Sequence, residues 1–148
     1  MTFDSSQYPE HVRASIEANR AAYAAAAAPL LADLRSVGFD VTSVGELVQK
    51  GLPYEPAIPV LIRWLPTIEY EPLREDIIRG LSVPFARPAA TRALVDEFKR
   101  LPPASNIQWA AGNGLEVVGD DSVYADLVEI VKHAAYGRAR QMVVLALG

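Results

Sequence analysis

The apolar positions of this chain recur with helical spacing, and one set of positions repeats in step along it. Leu61, Ile62, Leu65 and Ile68 stand at i, i+1, i+4 and i+7, on one face of an α-helix. Leu94, Val95, Phe98 and Leu101 repeat the set, and Leu127, Val128, Val131 and Ala134 repeat it again, at a constant 33-residue step (61 to 94 to 127). A second helix follows each copy. Ile77 to Leu81 aligns with Ala111 to Leu115 and with Val143 to Leu147, at offsets of 34 and 32 residues (77 to 111 to 143). Helix, turn and helix at this period is the signature of an α-solenoid, in which no unit buries its apolar face alone. No stretch alternates cleanly with the two-residue period of a strand.

Upstream, Pro9 to Val37 reads as a helix with a break or kink at Pro29, stopped by Gly38 in a left-handed conformation. Within it Leu30, Leu31 and Leu34 echo the i, i+1, i+4 spacing. A small helix follows, with Val44, Leu47 and Val48 as its stripe, Ser43 and Glu46 at capping-box spacing, and Gly51 at its end. Most prolines fall between apolar runs or in their first turns, where no intrahelical N–H is lost. The pattern predicts an all-α fold, an α-α superhelix in one domain over residues 1–148. Capping helices occupy 1–51 and about three helix pairs occupy 57–148. Met142 to Leu147 is apolar nearly all round. That leaves three expectations for the last helix: burial by earlier units, self-association through this C-terminal helix, or continuation in a longer array.

The repeated segments resemble HEAT-like repeats. The clearest copies are the first helix AIPVLIRWLPTI and the last, ARQMVVLALG, with its arginine, small residues and Leu-Gly end; the middle copy, IQWAAGNGLEVVG, lacks the arginine. From Gly38 to Gly148 the chain is similar to a group of bacterial HEAT-repeat proteins. These place a short Gly-Phe-Asp-Val element before the array and carry stretches like Trp109 to Leu115 and Tyr136 to Met142. The resemblance implies a HEAT/armadillo-like solenoid whose second helices line the concave face. It specifies fold rather than activity.

Composition narrows the function classes. Half of the residues are hydrophobic (51%), yet the Ala21 to Ala32 run is shorter than the ~20 residues a bilayer demands and starts too late for a leader. No membrane association is expected, and the chain reads as cytoplasmic. There is no cysteine, which removes disulfides, thiol nucleophiles and cysteine metal sites. A net charge of −4 with three lysines argues against nucleic acid, whose phosphates need clustered cations. His11 and His133 are far apart in sequence, so no metal and no cofactor are expected. His133, after Lys132 near a helix end, reads as a solvated or dipole-paired cation.

The remaining polar features have ordinary structural explanations. Glu75-Asp76 is expected in the first turn of a helix, and Asp120-Asp121 before the third unit with Ser122 as cap. Gly112 and Gly114 lack the strand and the Lys-Ser/Thr of a phosphate loop; with Gly80 they suit close helix approach. Trp64, at the edge of the first-helix stripe, is expected to pack against the small helix over 44–50.

Alignment of the second helices selects the candidate site. Glu75 and Arg79 share a face off the core stripe, and their counterparts are Trp109 with Asn113 and Gln141 with Leu145. Stacked units would line these side chains into a ridge, and Trp and Arg are the residues most enriched at binding hot spots. Trp109 could equally be core between units. Arg138 and Arg140 either extend the ridge or pair with Glu116 or Asp120. The leading expectation is a non-enzymatic protein-protein interaction scaffold, with no catalytic residues, that binds a protein or peptide along Glu75, Arg79, Trp109, Asn113 and Gln141. The rival is a solenoid enzyme or ligand binder, resembling a DNA glycosylase or a bilin lyase.

Overall fold

A computed structural model describes residues 4–148, with the side chain of Ser5 left aside. Its described residues form eight α-helices joined by short 3-10 turns, with no strand. The helices are α1 (Glu10–Ser36), α2 (Gly45–Gln49), α3 (Ile58–Trp64), α4 (Glu71–Leu81), α5 (Ala89–Arg100), α6 (Asn106–Val118), α7 (Tyr124–Lys132) and α8 (Ala139–Leu147). Each of the pairs α3/α4, α5/α6 and α7/α8 packs on itself. Like helices also pack on like: α1 on α3 and α3 on α5 in one row, α2 on α4, α4 on α6 and α6 on α8 in the other. The α6–α8 contact is the most extensive of all.

Local sequence explains where the helices stop and start. Gly38 (φ +100°) and Gly51 (φ +61°) take the left-handed conformation that ends α1 and α2. In both, the following amide reaches back to close the last turn, Phe39 N to Leu34 O at 3.0 Å and Leu52 N to Leu47 O at 3.3 Å. Pro59 and Pro72 occupy first turns of α3 and α4. Helix α1 runs through Pro29 without a break. Both Ala25 and Pro29 are exposed, so the carbonyl that loses its donor faces water.

Two expected caps form differently. Ser43 does not cap α2; Glu46 instead accepts from Thr42, on its backbone N–H (3.2 Å) and its hydroxyl. Asp120, not Ser122, supplies the cap before α7, accepting the Ser122 N–H at 2.9 Å. Ser105 caps α6 by accepting from Gln108 N at 3.2 Å, while the Gln108 side chain accepts the Ala104 N–H and donates to Phe98 O. Glu75 and Asp76 lie beyond the first turn of α4, whose opening acid is Glu71. Trp64 anchors on α1, not on α2: its indole N–H donates to Asp33 Oδ2 at 2.7 Å.

The repeat columns form the core. Leu61, Leu94 and Leu127 are buried, as are Leu65 and Phe98, Ile77, Ala111 and Val143, and Leu81 and Leu115. The columns thin at the C-terminal end, where Val128, Val131 and Leu147 are half-buried and Ala134 is exposed. Val144 (49%) and Leu145 (58%) are open, so α8 is not mostly buried by the units before it. The glycines set how closely the second helices approach. A Cβ at Gly112 would lie 2.7 Å from Ala139 O of α8, and one at Gly114 would lie 2.5 Å from Ser82 Oγ and 2.8 Å from Leu94 Cδ1.

Buried and half-buried polar groups tie the rows together. Glu97 of α5 is fully buried and accepts from Arg74 Nε of α4 at 2.5 Å and from Arg100. Asp126 of α7 bridges to α5 through Arg92 (2.8 Å) and Lys99 (2.6 Å). Tyr23 of α1 donates to Asp76 Oδ2 at 2.8 Å and accepts the Val44 N–H at 3.1 Å. Burial, more than the nearby carboxylates, raises its phenol pKa.

Two predictions follow from this packing. Gly112→Ala drives a Cβ into a backbone oxygen and is expected to cost about 1–3 kcal/mol despite the better helix propensity of alanine. At Gly80 the nearest atom is the flexible Leu61 Cδ1 at 3.2 Å, so Gly80→Ala is expected to be near neutral; denaturant melts of the two variants check the contrast. Hydrogen bonds from Arg92 and then Lys99 hold the Asp126 carboxyl down at about 2, below its ordinary value. A depressed carboxyl stabilises the fold above the unfolded-state pKa, and the contribution fades as pH falls from about 4 towards 2. Asp126→Asn should lower the melting temperature by a few degrees at pH 7 and leave it unchanged near pH 2.

Candidate functional site

The second-helix row carries a cleft of about 460 Å³ between α4, α6 and the start of α8. Glu75, Arg79 and Ser82 line it from α4 and its end, Asn106, Trp109, Ala110 and Asn113 from α6, and Arg138 from the turn before α8. Helix geometry explains the grouping. Residues 75, 79 and 82 fall at i, i+4 and i+7, and residues 106, 109 and 113 at i, i+3 and i+7, so each helix offers one stripe. The core stripes beside them pull the two helices together and leave these side chains between.

The cleft gathers contrasting chemistry. Trp109 is 41% exposed, which places its ring on the surface rather than between units. Glu75 and Arg79 form an i, i+4 ion pair at 2.7 Å. Arg138 is exposed, and among the described residues its guanidinium has neither an ion pair nor a hydrogen bond. Asn113 is half-buried; its side-chain oxygen Oδ1 is shielded from water and has no hydrogen-bond partner. A buried amide oxygen left in this state costs about 1–3 kcal/mol and calls for an N–H. A smaller recess of about 190 Å³ adjoins along the same row, lined by Gly45, Val48, Gln49, Asp76 and Arg79. Arg79 is therefore a wall common to both depressions.

Four of the five residues selected from sequence, Glu75, Arg79, Trp109 and Asn113, meet in the cleft. Gln141 does not; it is exposed on α8 outside the lining, as is its neighbour Leu145. Arg138 enters instead, while Arg140 turns away and donates to Val131 O at 3.2 Å. Neither arginine pairs with Glu116 or Asp120 among the described residues. Asn106 and Ser82 belong to the stripes of Trp109 and Glu75, so periodicity could have selected them. Arg138 sits on a turn, but the 32-residue offset that aligns Ala111 with Val143 also aligns Asn106 with Arg138, so the repeat relates it to α6.

Outside the cleft, His11 is exposed on α1, and His133 caps the end of α7 with its ring 5.3 Å from Tyr136. Among the described residues no three His, Asp or Glu side chains gather in a way that could hold a metal ion. No helix of the described residues is long and apolar enough to cross a membrane. No protein-family model, curated protein or solved structure matches the chain.

The two tryptophans separate the site from the scaffold in solution. Trp109→Phe is expected to remove most of the acrylamide-quenchable emission while the hydrogen-bonded Trp64 remains protected, with the melting temperature shifted by no more than a few degrees. Quenching that persists at wild-type strength would place Trp109 elsewhere.

Proposed function

We propose that this chain is a HEAT-like binding module that holds an extended protein or peptide segment against its second helices. The observation that supports this most is the cleft itself. An exposed tryptophan, a guanidinium–carboxylate pair and an unpartnered guanidinium line one space. Aromatic rings and arginines at a pocket are the side chains that dominate protein recognition, because they offer large contact area at low conformational cost. The neighbouring recess shares Arg79 and includes Val48, exposed at 47%, so the face continues past the cleft towards α2. Such a string of shallow sites suits a chain laid across successive helices better than a compact molecule enclosed on all sides.

The experiment is affinity capture with the intact chain, comparing wild type with the Arg79→Glu/Trp109→Ala double variant. Both side chains are exposed, so the variant is expected to fold, with its melting temperature as control. Loss of two hot-spot side chains should weaken the captured partner by about 30-fold or more. Undiminished capture by the folded double variant would remove this face from the proposal.

A further inference from the structure

We infer that the segment held in the cleft presents an aspartate or glutamate side chain to Arg138; this rests on the binding-module reading above. Charge makes the first part of the case. The cleft holds one acid and two arginines, and the acid, Glu75, is already engaged by Arg79. Arg138 is left as an exposed fork of N–H donors with no acceptor, on a chain whose net charge is −4. A planar guanidinium matches a carboxylate with two parallel hydrogen bonds, and the overall negative charge makes this patch a local exception that an acid would find.

The other groups orient the ligand. Trp109 stands one helical turn before Asn113 on the same stripe, so an apolar side chain flanking the acid would lie on its ring. The adjoining recess has the opposite character: Asp76 lines it, and its oxygen accepts from Tyr23. The acid therefore belongs at the α8 end of the face and not at the α2 end. A single unpaired guanidinium is not a phosphate track, which sets nucleic acid aside.

Random dodecapeptides displayed on phage, panned on the immobilised full chain and kept only when binding is lost with Trp109→Ala, provide the probe. Selected sequences are then synthesised with both ends blocked, in their Asp/Glu form and as the Asn/Gln isostere, and the isostere also with a free C-terminal carboxylate. Binding is read from the two indole N–H signals of the labelled protein, Trp109 as reporter and Trp64, held by Asp33, as internal reference. Acidic residues should be enriched, and the acidic peptide should bind about tenfold tighter than its isostere. Arg138→Gln should bring that ratio close to one, and Arg138→Lys should keep part of it. A free C-terminus should leave the isostere weak; if it restores binding, a chain end supplies the carboxylate and the side-chain assignment is overturned.

Trp109-dependent peptides without acid enrichment, or equal binding of acid and isostere, would overturn the carboxylate and leave the peptide-binding face standing. Finding no Trp109-dependent peptide, or a Trp109 shift with a single-stranded oligonucleotide instead, would overturn both.

Discussion

The close approach of α4, α6 and α8 is the constraint on which the rest of the structure depends. It is made at glycines: Gly112 lies against the backbone of α8, and Gly114 against Ser82 and Leu94. A side chain at Gly112 would press on the α8 backbone and force α6 and α8 apart, whereas one at Gly114 would displace the Ser82 hydroxyl and the end of Leu94. Ser82, which lines the cleft, is also the atom nearest to the missing Cβ of Gly114. Asn113 lies between the two glycines in sequence and lines the cleft. The same contacts that bury Ala111 and Leu115 therefore fix the distance across which Glu75 and Arg79 face Trp109.

A second set of contacts keeps the two rows of helices in register. Apolar columns are permissive, since one leucine packs on another in many offsets, whereas an ion pair fixes a particular neighbour. Glu97, fully buried, selects Arg74 on α4 and Arg100 on its own helix. Removing one partner from a buried pair costs about 3–5 kcal/mol, much more than the pair adds over a well-packed apolar substitute. Its role is thus better understood as specifying which helix faces which. At the C-terminal end Asp126 plays a similar part through Arg92 and Lys99, at the surface and with less at stake.

The parts of this fold readable from sequence are those set by local periodicity. The Leu61, Leu94 and Leu127 column, the left-handed Gly38 and Gly51, and the Glu75–Arg79 pair all follow from helix geometry over a few residues. The misreadings fall where partners are distant or where local alternatives compete. Trp64 found Asp33, 31 residues away, instead of the nearby small helix. Glu97 aligned with Trp64 and Ile130 on the edge of a stripe, and nothing local announced that two arginines would allow it to be buried. Ser43 lost Glu46 to Thr42, a contest between adjacent hydroxyls that spacing alone does not resolve. In the site, Trp109 and Asn113 came from one stripe and Glu75 and Arg79 from another, but their meeting depended on packing. Arg138 stands at the repeat position of Asn106, but whether it lined the cleft or paired with Glu116 or Asp120 depended on packing.

The polar side chains that line the cleft carry fixed charges and dipoles. A guanidinium stays charged at any physiological pH and neither accepts nor releases a proton. An amide side chain binds through fixed dipoles, and an indole offers a face and a single donor. The one carboxylate, Glu75, already shares its charge with Arg79, so a proton transfer there would have to break an existing pair. A ligand held as proposed would meet the charge of Arg138 and cover the face of Trp109, on walls brought close at Gly112 and Gly114.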